Sequence, residues 1–169
     1  MFGSLNRFLT SAILILFGLS TFATAMEAPS GPILLRVSGE IGVFNADAEA
    51  QFDREMLAAL DWRDVDTYVS FDDGRHRFSG PTLASLLTYL GVEGGTLRAT
   101  ALDDYAIDIP VQDAQAHNVI LALERDGKPL RIRDRGPIWV VYPASDPSQV
   151  NDLHSARMIW QLKSIEVKP

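Results

Sequence analysis

A chain of 169 residues with 47% hydrophobic content is long enough for one compact domain with a sizeable core, and a second domain would be cramped. Its 15 basic and 22 acidic residues give a net charge of −7 without a basic stripe or a basic amphipathic helix, which excludes nucleic acid and anionic membrane faces as expected partners. No cysteine occurs, so there is no disulfide, no thiolate nucleophile and no zinc-thiolate site, and stability has to come from packing.

At the start of the chain, Arg7 precedes an apolar run over residues 8–19 and then the small residues Ala23, Thr24 and Ala25. This is the pattern of a signal peptide with an A-x-A cleavage site, and the run is shorter than the ~20 residues a membrane-spanning helix needs. Cleavage after Ala25 predicts a periplasmic or secreted protein. It leaves a single domain, residues 26–169, with 14 basic and 22 acidic side chains and a net charge of −8.

PILLRVSG, residues 32–39, alternates and is β-branched enough for a first strand. Asp47 reads as the N-cap of a helix that places Phe52, Met56, Leu57 and Leu60 on one face. DTYVSF, residues 66–71, is the next strand, and Asp72-Asp73-Gly74 turns it into a partner at 75–78. Ser79 reads as the cap of a helix with Pro81 near its start and Leu83, Leu86, Leu87 and Leu90 on its buried face, ending at Gly91. TLRATAL and YAIDIP form two strands around Asp103-Asp104, and residues 111–117 form a short polar segment. NVILALE is an apolar strand, Asp126-Gly127 a turn, IWVVYP a strand buried on both faces, residues 144–153 a polar loop, and residues 157–167 a closing strand or strand pair. Many short strands and few helices predict an α+β domain with mixed or antiparallel sheets and two or three short helices.

Chemistry-bearing residues are sparse. His76, His117 and His154 are the three histidines, and none pair at i, i+3 or i, i+4, so their spacing favours partly exposed side chains over a metal site. No G-x-S-x-G elbow is present, and GVEGG at 91–95 ends a helix where a phosphate loop would begin one. Asp72, Asp73, Asp103 and Asp104 suit turns better than paired acid-base carboxylates. Arg75, Arg77, Arg131, Arg133 and Arg135 suit a solvated hairpin face, with Arg75 and Arg157 the guanidinium groups that would meet an anionic ligand.

The order of FSGPTLASLLTYLGV, TLRATALDDYAIDIP, VILALERDGKPL, GPIWVVYP and WQLKSIEV over residues 78–167 resembles the molybdopterin-binding domain of the sulfite oxidase family of oxidoreductases. The resemblance implies that family's mixed α+β fold and a pocket at the loop ends, whose candidate ligand-binding residues here are Phe71, Asp72, Asp73, Arg75, Tyr105, Tyr142 and Arg157. In family enzymes a cysteine thiolate near the end of the strand before the helix ligates molybdenum, because soft sulfur suits that centre. That position falls at or beside Phe71, which cannot ligate, although Ser70, Asp72 and Asp73 carry oxygen. The loop after Pro143 is shorter than its counterpart in the enzymes. A preloaded cofactor also needs export of a folded chain, usually by a twin-arginine signal, whereas this chain has the lone Arg7.

The expectation is therefore an exported, non-catalytic small-ligand-binding or accessory and sensory module. No cofactor, catalytic residue or metal is expected, and molybdopterin enters only if the resemblance extends to cofactor binding. The partner is a small anionic ligand or a membrane receptor or sensor protein. The alternative is a molybdopterin-dependent oxidoreductase with a non-cysteine metal shell.

Overall fold

The computed structural model describes residues 26–70, 72–150 and 152–169. Residues 1–25, over which the sequence predicts a signal peptide, together with Phe71 and Asn151, lie outside the described residues. In chain order the elements are β1 (Leu35–Gly39), β2 (Glu49–Phe52), α1 (Arg54–Ala58), β3 (Trp62–Tyr68), β4 (Arg75–Pro81), α2 (Leu83–Tyr89), β5 (Thr96–Ala101), β6 (Ala106–Pro110), α3 (Asp113–Ala116), β7 (Ile120–Ala122), β8 (Glu124–Arg125), β9 (Lys128–Pro129), β10 (Trp139–Val141), α4 (Asp152–Arg157) and β11 (Leu162–Lys168). The class is α+β, with four short α-helices among the described residues where two or three were expected.

Three sheets share one core. A five-stranded sheet runs in the order β2-β1-β11-β5-β6, with β1 and β11 parallel and the other pairs antiparallel. A four-stranded sheet runs β3-β4-β8-β9, and β10 pairs with β7. Phe78 of β4 meets Trp139 of β10 edge to face at 5.2 Å, with both rings fully buried. That contact joins the second sheet to the third through the two largest apolar side chains at their junction.

Two helix starts differ from the sequence expectation. Asp47 caps nothing: residues 49–52 form β2, with Ala50 and Phe52 buried on alternate positions, and the helix starts only after Asp53. The carboxylate of Asp53 accepts from Met56 N–H at 2.9 Å and from Ser30 and Gly31 N–H at 2.8 Å each, and these backbone donors hold its pKa below the usual carboxylate range. The spacing of Phe52, Met56 and Leu57 looked helical because a strand ends on the same buried side on which the helix begins.

Ser79 is likewise a buried strand residue. The cap of α2 is Thr82, whose hydroxyl accepts from Ser85 N–H at 3.2 Å. β4 continues through Gly80 because the β7 backbone lies against it, so that a Cβ there would stand 2.0 Å from Leu121 O. The strand before the hairpin begins at Trp62, earlier than expected, and pairs with β4 from Trp62–Pro81 down to Tyr68–Arg75. NVILALE divides into β7 and β8, the polar segment at 111–117 contains α3, and the polar loop expected over 144–153 gives way at Asp152 to α4, which runs on to Arg157. Arg157 ends α4, and one strand, β11, closes the fold.

The Gly80 approach yields a stability test. Gly80→Ala should cost about 3 kcal/mol or more in urea unfolding, because backbone rather than a flexible side chain blocks the methyl group. Gly74→Ala, in open space at φ +85°, should cost only about 1–2 kcal/mol. Equal losses would contradict the close approach of β4 and β7.

Candidate functional site

Three clusters meet around α4. Beneath it lies Asp113, the first residue of α3, at 7% exposure. Its Oδ2 accepts from the Tyr142 hydroxyl at 2.7 Å and from Arg157 Nη1 at 2.7 Å. Burial, reinforced by the Asp113 hydrogen bond, pushes the Tyr142 pKa well above its ordinary value, so the phenol stays a protonated donor. His154 stacks on Tyr142 at 4.9 Å and 22°, and His117 packs 4.3 Å from His154 and 5.9 Å from Tyr142. Burial first and the neighbouring His117 second hold the His154 pKa below the usual imidazole value, against the opposing pull of Asp113.

The second cluster is the β3–β4 corner. The Asp72 carboxylate accepts from Arg125 Nη1 at 2.6 Å and from Arg135 Nη1 at 3.0 Å. Arg135 also lies 5.0 Å from the ring centre of Trp139 and 5.3 Å from that of Trp160, which gives its flat cation two aromatic contacts. The Ser70 hydroxyl is hydrogen-bonded to that of Ser155 on α4, so the corner is tied directly to that helix. His76 faces Asp126 Oδ2 at 2.9 Å and the Asp73 carbonyl at 3.0 Å.

The third cluster is an apolar pocket of about 300 Å³ between the β5–β6 turn and the end of α4. Met158 and Ile159 are buried in its floor, and Tyr105 and Trp160 stand exposed at its sides.

Of the residues singled out from the sequence, Tyr142 and Arg157 come together on one carboxylate. Asp72 sits at the corner with its charge compensated, Asp73 contributes its carbonyl, and Arg75 is exposed at the end of β4. Tyr105 belongs to the separate pocket, and Phe71 lies outside the described residues. Sequence reasoning missed Asp113, Arg125, Arg135 and Trp160, and it left His117 and His154 as dispersed residues. No spacing rule joins α3 to α4, since the two histidines meet only through the fold.

Residues 68–146 match the family model of the oxidoreductase molybdopterin binding domain. No curated protein matches the chain. Among solved structures, the chain is similar to the sulfane dehydrogenase SoxCD from Paracoccus pantotrophus, at 16% identity and a TM-score of 0.59 over 79% of this chain and 37% of that one. The likeness is therefore one of fold, and it covers well under half of the dehydrogenase chain. It agrees with the mixed sheets and the element order, and with the sulfite-oxidase type of fold expected from residues 78–167.

The donors at the corner do not fit a metal ligated by protein sulfur. The chain has no cysteine, and no group of three or more His, Asp or Glu among the described residues could hold a metal ion. Asp72, the nearest described carboxylate to position 71, already serves two guanidinium groups.

His154, stacked on Tyr142, generates a pH test. The folded form disfavours the charged state of His154 relative to the unfolded chain, so this residue costs nothing well above pH 6.5 and destabilises as pH falls below it. The thermal midpoint should drop from about pH 7 to about pH 5.5, and His154→Phe, which keeps a ring on Tyr142, should flatten that drop. An unchanged slope in the variant would assign the pH dependence elsewhere.

Proposed function

We propose that this chain, which carries an oxidoreductase molybdopterin binding domain in residues 68–146, works outside the cytoplasm as a non-catalytic module that binds a small ligand or docks on a membrane receptor or sensor. One observation carries the reading: where the family places a metal-binding sulfur, this chain has Phe71 followed by a carboxylate neutralised by Arg125 and Arg135. A fold can persist while the chemistry grafted on it changes, because activity resides in particular side chains.

The leader supports the extracytoplasmic part of the reading. Arg7, the apolar run and the A-x-A site fit a general secretory signal, and a chain threaded unfolded cannot keep a pocket closed around a preformed cofactor. No helix among the described residues is long and apolar enough to cross a membrane. An anionic ligand would meet Arg75, which is exposed, or would have to displace Asp113 from Arg157.

Protein purified from its native compartment, made in cells that synthesise the cofactor, should contain no stoichiometric molybdenum and release no pterin fluorescence on denaturation. Stoichiometric molybdenum together with pterin would replace this reading by a molybdopterin-dependent oxidoreductase with a non-cysteine metal shell.

A further inference from the structure

We infer that the apolar pocket beside α4 is a binding site for a small methylated ammonium cation. The inference rests on the binding-module reading and names a ligand class for it. The pocket holds about 300 Å³, enough for a trimethylammonium group and a short tail. Ala101, Met158 and Ile159 make a buried apolar floor, each at most 4% exposed. Tyr105 and Trp160 line the sides at 54% and 36% exposure, and Asp103 stands at the mouth.

These groups select by charge as well as by shape. Aromatic faces are electron-rich and attract cations, most strongly where water is excluded. The Arg135 guanidinium, balanced by Asp72, already lies 5.3 Å from the Trp160 ring centre, so Tyr105 is the wall whose aromatic face would take the ligand's charge. The neighbouring acids are paired, Asp104 with Lys163 and Asp108 with Arg98 at 3.1 Å. Asp103 is in no ion pair among the described residues, and its Oδ1 accepts from Tyr105 N–H at 3.1 Å. A carboxylate at the mouth opposes an anion and favours a cation over a neutral ligand of the same shape. A primary ammonium holds its own water too strongly to settle on an apolar floor. A methylated ammonium spreads its charge over methyl groups that Met158 and Ile159 can pack against.

The walls are fixed before any ligand arrives. Ala101 N–H donates to Tyr105 O at 2.8 Å, closing the turn that carries Asp103 and Tyr105. Leu102 N–H donates to Gln161 O at 2.9 Å, which holds that turn against the residue after Trp160. Little backbone freedom is therefore left to lose on binding.

The test is calorimetric titration of the full exported protein with choline and with tetramethylammonium, beside the uncharged choline isostere 3,3-dimethylbutan-1-ol. Both cations should bind saturably, and the isostere about tenfold or more weakly. Asp103→Asn, which keeps the acceptor for Tyr105 N–H, should weaken choline about tenfold, Tyr105→Ala should abolish binding, and Tyr105→Phe should retain it. Because Asp103 and Tyr105 are exposed turn residues, unchanged melting midpoints will separate lost binding from lost fold. Absence of cation binding at millimolar concentration, equal affinity for the isostere, or indifference to Asp103→Asn would overturn the assignment. None of those outcomes bears on molybdenum content, on which the metal-free reading stands or falls separately.

Discussion

A single carboxylate oxygen holds the α4 end of this molecule together. Asp113 Oδ2 receives both the Tyr142 hydroxyl and the Arg157 guanidinium, and so links α3, the residue that follows β10, and the last turn of α4. A buried carboxylate left unpaired costs several kcal/mol, so the two donors and the acid depend on one another. Arg157 offsets the charge, Tyr142 fills a remaining acceptor position, and His154 on α4 covers the phenol ring from the other side.

Fixing α4 has consequences at both of its neighbours. Ser155 reaches the Ser70 hydroxyl and closes the helix over the β3–β4 corner, while Ser155 and Ala156 border the pocket that contains Tyr105 and Trp160. The corner and the pocket are therefore mechanically coupled through six residues of helix. At the corner the charge is balanced internally, Asp72 against Arg125 and Arg135, and Arg135 stacks on the same pair of tryptophans that joins the core to the pocket wall. Nothing soft enough to bind a thiophilic metal is offered there, although the surrounding sheets follow the sulfite oxidase pattern.

Much of the fold could be read from local chemistry. The turns at Asp72-Asp73-Gly74, Asp103-Asp104 and Asp126-Gly127 contain residues at positive φ, namely Gly74, Asp104, Asp126 and Gly127; the first two join the antiparallel pairs expected from their flanking alternation, and the third joins β8 to β9, a pair the sequence reading did not include. Leu83, Leu86 and Leu87 marked the buried face of α2 correctly, but the cap lay three residues beyond Ser79 because β7 needed Gly80 in a strand. Asp47 was misleading because a period-two strand and a helix share one apolar side at Phe52 and Met56. The site was far less legible. α4 has no apolar stripe and no buried residue, so it resembles a loop in sequence and becomes a helix through contacts with Asp113, Tyr142 and Ser70 that no local pattern encodes.

The central role given to Asp113 is most directly tested by amide hydrogen exchange on the Asp113→Ala variant. Protection across residues 152–160 should fall steeply while that of β5 and β11 persists, since the five-stranded sheet does not use this carboxylate. Unchanged protection over 152–160 would contradict the dependence of α4 on Asp113, and with it the coupling of the corner to the pocket.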